Sequence, residues 1–109
     1  MPKYAVFASY TPEQWARVVG APAARGVALR AAAEAVGGAV DALYWMFGNN
    51  DLLAIITAPD STAQAALSVS MASTGVFSSF ATHELISADD LDAVVSRAKE
   101  TGLVPDPPE

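Results

Sequence analysis

Val40-Asp-Ala-Leu-Tyr-Trp-Met-Phe47, Gly48-Asn-Asn-Asp51 and Leu52-Leu-Ala-Ile-Ile-Thr57 follow one another in the middle of the chain. The first and third pieces are apolar and rich in aromatic or β-branched residues, which suits strands. The piece between them reads as a turn, because Gly and Asn accept positive φ at low steric cost. Two such strands joined by such a turn predict a β-hairpin.

Outward from the hairpin, each flank reads as strand then helix, or helix then strand. Tyr4-Ala-Val-Phe-Ala-Ser-Tyr10 is the first strand. Thr11-Pro-Glu-Gln14 opens a helix: Thr11 caps, Pro12 has the φ of the first helical position, and Gln14 can return the hydrogen bond. Trp15, Val18 and Val19 are expected on its buried face. Gly20-Ala-Pro22 interrupts, and a second helical stretch runs from Pro22 to Val36, closed by Gly37-Gly38. Beyond the hairpin, Asp60 caps a helix reaching Met71, Gly75 breaks it, and Val76 to Ile86 makes a fourth strand. Ser87-Ala-Asp-Asp90 opens a last helix with Leu91, Val94, Val95 and Ala98 at helical spacing, stopped by Gly102. The order β-α-β-β-α-β plus a C-terminal helix predicts an α+β, ferredoxin-like fold with all helices on one sheet face. Residues 1–104 are expected to form one domain and residues 105–109 a flexible tail.

Composition narrows the function. The chain has 109 residues, near the usual size of one domain. A chain of this length hides roughly 65% of its unfolded surface, enough for a core without staples. It has no Cys, which excludes disulfides, thiolate metal sites and cysteine nucleophiles. Twelve acidic against six basic residues argue against a nucleic-acid partner, which needs clustered cations. No apolar run approaches the ~20 residues of a membrane span, and the N-terminus lacks the pattern of a signal peptide. A cytoplasmic location without a membrane partner is expected. Only 17% of residues are charged, against about 25% in ordinary domains. Tyr4, Val6, Leu43, Trp45, Phe47 and Phe80 leave no consistently polar side to the sheet. The sheet is therefore expected to be covered by a second copy, giving a homodimer or larger. The competing cover is the last helix, whose stripe is narrow enough to cover only part of a face.

Several residues carry candidate chemistry. His83, the only histidine, can act as a general base near neutral pH, although no partner is fixed by spacing. Asp51 can orient a ligand or bond turn amides, and the second is the usual role of Asp in such loops. Tyr44 stands as a third catalytic candidate beside them. Trp15, Trp45, Tyr44 and Phe47 can line an aromatic pocket, although aromatic side chains on a small sheet more often serve core or interface. Arg25 and Arg30 can grip an anion, but Arg30 and Glu34 are spaced i,i+4 as a solvated surface pair. One His and scattered carboxylates give no metal-ligand spacing, so no metal is expected. No phosphate loop, dinucleotide fingerprint or Gly-x-Ser-x-Gly is present, so no cofactor is expected.

Six short motifs together resemble the GYD-domain family, small proteins related to the dimeric α/β barrels. They are Tyr10-Thr11, Pro22 to Arg25, Gly37-Gly38, Phe47 to Asp51, Ala58-Pro59-Asp60 and Ser87 to Asp90. Asp51 matches the acid of the Gly-x-Tyr-Asp signature, whereas Asn50 stands where the family has its Tyr. Asn50 is accordingly a candidate ligand contact. The resemblance implies a dimeric α/β-barrel type of assembly and self-association, and no established reaction. Two functions fit: a self-associating, ligand-binding or regulatory module, or a cofactor-independent enzyme acting on a small, partly apolar metabolite in the barrel cleft. The position of His83 relative to an open cleft separates them.

Overall fold

The computed structural model describes residues 1–108. Strands β1 (Lys3–Tyr10), β2 (Ala39–Trp45), β3 (Leu52–Thr57) and β4 (Phe77–Leu85) form one antiparallel sheet in the order β2-β3-β1-β4. Helices α1 (Pro12–Gly20) and α2 (Pro22–Ala35) join β1 to β2, and α3 (Ser61–Ser73) joins β3 to β4. This is the ferredoxin-like α+β arrangement, with β1 and β3 central. A 3₁₀ turn at Ala88–Asp90 leads into α4 (Leu91–Lys99). None of the helices described is long and apolar enough to cross a membrane.

The core lies on the side of the sheet that α2 and α3 cover. Val6, Ala54 and Ile56 from the central strands meet Leu29 and Ala33 of α2 and Leu67 and Met71 of α3. The alternation of strands sends the even-numbered residues of β1 and β3 to this side. Tyr4, Val6, Leu43 and Phe80 are buried or half-buried, and they belong with the core rather than with a second face awaiting cover. The open face is carried instead by Phe7, Leu53, Ile55, Tyr44 and Ala81, most of them at odd positions. Lys3, Asp41 and Thr57 close one corner of it. Lys3 Nζ reaches Asp41 at 2.8 Å and donates to the Thr57 hydroxyl at 3.0 Å. Hydrogen bonds from Lys3 and Thr57 hold the Asp41 carboxyl below its ordinary range. The folded value lies below the unfolded one, so this contribution is present near neutral pH and is lost as pH falls through the folded value. The pair is exposed, so the effect is small.

Capping follows the expected chemistry with two corrections. Thr11 Oγ1 accepts from the Gln14 amide, Asp60 Oδ1 from the Ala63 amide and Ser87 Oγ from the Asp90 amide. The Gln14 side chain does not return the bond, because the Thr11 amide donates to the Val76 carbonyl. Gln14 itself is buried with Val18, and Val19 is 79% exposed. The buried face of α1 runs through positions 14 and 18, one turn apart, and turns Val19 outward. Gly38 is required by close approach: a Cβ there would lie 2.5 Å from the Thr57 carbonyl oxygen.

The hairpin forms with a longer loop than the sequence suggests. Strand β2 ends at Trp45, Met46 donates to the Asp51 carbonyl, and Phe47 is 99% exposed in the loop rather than on the sheet. A β-bulge between Val40 and Ala42 shifts the register and fixes which residues of β2 face inward. Gly48 has φ +124°. Gly48→Val is expected to lower stability by about 1–3 kcal/mol, because a β-branched residue is strained at positive φ. A melting temperature unchanged from wild type would remove this role from Gly48.

Helix α4 departs from the one-sided helical layer. None of its residues is buried, and Leu91, Val94 and Val95 are each exposed. It rests on little besides the 3₁₀ turn that starts it. The chain consequently measures 59 × 30 × 22 Å, with a radius of gyration of 17.2 Å against about 13 Å for a compact chain of this length. The last helix therefore leaves the open sheet face of its own chain uncovered. Residues 105–108 have no regular structure and are exposed, and Glu109 of the expected tail lies outside the described residues.

Candidate functional site

A cavity of about 170 Å³ opens between the sheet and the two long helices, at the end where β1 and β2 finish. Tyr10, Leu52 and Phe77 form its sheet side. Arg25, Leu29 and Ala32 of α2 face Ser70, Met71 and Thr74 at the end of α3 across it. Leu43 and Trp45 of β2 close the flank, and they also border a shallow groove lined by Pro22, Gly26 and Arg30.

The aromatic wall follows from strand register. Tyr10 and Phe77 are cross-strand partners, and their rings stack at 5.5 Å and 20°. Trp15 meets Tyr10 edge-on at 5.4 Å. Burial pushes the Tyr10 phenol above its ordinary pKa, and the Asp51 charge adds to this. Trp45 and the Arg25 guanidinium pull the other way. Arg25 is half-buried beside the pocket and pairs with no carboxylate among the described residues.

Asp51 works as an anchor. Its Oδ2 accepts from the Tyr10 amide at 2.9 Å and from the Trp15 indole N–H at 3.1 Å. One carboxylate thus ties the β2–β3 loop to the end of β1 and the start of α1, and holds Tyr10 where it forms the pocket wall. Trp15 is used in this contact and does not line the cavity. Asn50 is half-buried in the loop, away from the pocket lining.

The three catalytic candidates are not brought together. His83 is exposed on the open sheet face, edge-on to Phe7 at 5.8 Å. Tyr44, also exposed, lies on β2, the opposite edge strand. Three strand spacings separate those edges, about 14 Å. Asp51 is occupied at the end of the sheet. Arg30, read as a surface partner of Glu34, instead donates to the Val40 carbonyl at 3.1 Å, beside the bulge.

Of the ligand-binding candidates, Arg25 and Trp45 line the cavity. Sequence reasoning missed Tyr10, Leu29, Met71 and Phe77 as pocket residues. Each looks like ordinary core at its position. The available signal was Tyr10 and Phe77 ending one strand and starting its neighbour.

A comparison with curated proteins finds no match. Comparison with protein-family models matches the GYD domain over residues 4–95, from the start of β1 into α4. With the expected hairpin, caps and sheet order in place over that same stretch, the chain belongs to the GYD-domain family.

Proposed function

We propose that the protein is a cytoplasmic, self-associating module that binds a small molecule between its sheet and helices and performs no chemistry on it. The observation that carries this reading is the apolar cavity bordered by Tyr10, Trp45 and Arg25, from which His83 and Tyr44 are absent. Pockets for small molecules are mostly apolar with a few placed polar groups, and this composition fits. The enzyme alternative needs a proton-transfer group at the cavity. The Tyr10 phenol is at the wall, but burial raises its pKa, and no carboxylate or imidazole stands with it among the lining residues. His83 and Tyr44 sit on the other sheet face, and Asp51 is already bonded.

Self-association is supported by the open face. Phe7, Leu53 and Ile55 are half-buried there with no helix of the same chain across them. A second copy, sheet against sheet, removes this surface from water at ~25 cal/mol per Å² of apolar area. The cavity is on the helix side, so dimerisation leaves its mouth free.

A thermal-shift screen of small metabolites tests the binding reading, because a ligand of the native state raises the melting temperature by mass action. A class of small compounds is expected to raise it, and His83→Gln is expected to respond like wild type. A screen in which only His83-containing protein responds would favour the enzyme.

A further inference from the structure

We propose that the cavity takes a small carboxylic acid with a flat or branched apolar body of roughly six to eight carbons. This rests on the reading of the cavity as a ligand site and names what enters it.

Size comes first. The cavity measures about 170 Å³. An apolar cavity of about 150 Å³ holds a benzene molecule, whereas drug-sized ligands need ~300 Å³ or more. The body is therefore one ring or its aliphatic equivalent, with a short polar arm at the open side. The walls agree: Leu29, Ala32, Leu43 and Met71 offer no hydrogen bond, and the stacked Tyr10–Phe77 pair gives a flat surface.

Charge decides the arm. Arg25 is the only charged residue among those lining the cavity. The chain has six cations among twelve acids. Lys3 pairs with Asp41, Arg97 with Glu100, and Arg30 donates to the Val40 carbonyl. Arg25, like Arg17 and Lys99, has no such partner among the described residues, and of these three it alone lines the cavity. Its planar fork of N–H donors matches a carboxylate bidentately. A second cation would be repelled there, and a neutral ligand would leave the guanidinium unmatched. A phosphate dianion needs several further donors, and of the three hydroxyls at the cavity, those of Tyr10, Ser70 and Thr74, two are committed. Ser70 donates to the Ala66 carbonyl and Thr74 to the Met71 carbonyl. One cation with one remaining hydroxyl, the Tyr10 phenol, suits one negative charge.

The test titrates the full chain with phenylacetate, its neutral isostere phenylacetamide and phenyl phosphate, followed by calorimetry and by NMR of the Trp45 indole N–H and the Tyr10 and Leu29 amides. Phenylacetate is expected to bind and shift these resonances, with the amide and the phosphate ester at least about tenfold weaker. Arg25→Gln is expected to bring acid and amide to equal, weak affinity, and Arg25→Lys to recover part of the difference. If the amide binds wild type as tightly as the acid, or Arg25→Gln leaves the preference intact, the acid assignment is overturned while the ligand site stands. Tighter binding of the phosphate ester also overturns it. If no probe moves the Trp45, Tyr10 or Leu29 resonances at millimolar concentration, both the acid assignment and the ligand-site reading fall.

Discussion

Leu53→Glu is expected to convert the protein in solution from twice the chain mass of 11.3 kDa to that mass itself. Leu53 lies at the middle of the open sheet face, paired across the central strands with Phe7. With a second copy on that face, an interface of about 800 Å² per partner is the size that a stable dimer uses. A carboxylate placed there without a partner loses its hydration and gains nothing, and two-fold symmetry places two of them in the same interface. A loss of at least about 4 kcal/mol, or roughly a thousandfold in dissociation constant, is expected. The fold itself should survive, since Leu53 is half-exposed within one chain and takes no part in the core under α2 and α3. Light scattering at micromolar concentration, with circular dichroism as the check on folding, reads both quantities. A wild-type mass of 11.3 kDa that does not change on concentration would end the assembly argument.

Asp51→Ala is expected to lower the melting temperature by about 8–30 °C. The substitution removes two hydrogen bonds to an ionised acceptor, each worth about 1.5–3 kcal/mol when lost, and leaves two partly buried N–H groups without partners. Some of that cost is recovered by water reaching the loop, which leaves a net of about 2–4 kcal/mol. In a chain of this length each kcal/mol moves the midpoint by about 4–8 °C. Asp51→Asn keeps an accepting oxygen in place and should retain more than half of the stability. If Asp51→Ala melts within about 3 °C of wild type, the carboxylate is not the anchor. A variant that melts normally but no longer binds a ligand would return Asp51 to the binding residues.

The fold was legible where local chemistry is decisive. Thr11, Asp60 and Ser87 cap their helices because a side-chain oxygen three residues before a free amide has one good partner. The hairpin was legible from two apolar runs around Gly48. What failed depended on register. The bulge at Asp41 decides which β2 residues turn inward, and an inserted residue cannot be seen in an alternation of Leu, Tyr and Trp. Phe47 leaves the sheet for a different reason, because β2 ends at Trp45 and the loop begins at Met46, and no change of residue type marks that end. The cavity was half legible. Arg25 and Trp45 stood out as a charge and a large ring, but Tyr10, Leu29, Met71 and Phe77 line it only because two helices stop short of filling the end of the sheet. His83 and Tyr44 were singled out by residue type, which carries no information about distance across strands.

Helix α4 divides the chain into parts that need not unfold together. A nine-residue helix is marginal in water on its own, since nucleation is costly and few hydrogen bonds follow. The apolar stripe of Leu91, Val94 and Val95 implied burial without saying against what, and within the chain it is buried against almost nothing. Amide hydrogens of residues 91–99 are therefore expected to exchange with solvent through local opening, far faster than those of the sheet. The amides of Val6 and Ile56, buried in the central strands, are expected to exchange only when the whole sheet comes apart. Slowed exchange confined to α4 would accordingly register the arrival of something on its stripe, while leaving the protection of the sheet where it was.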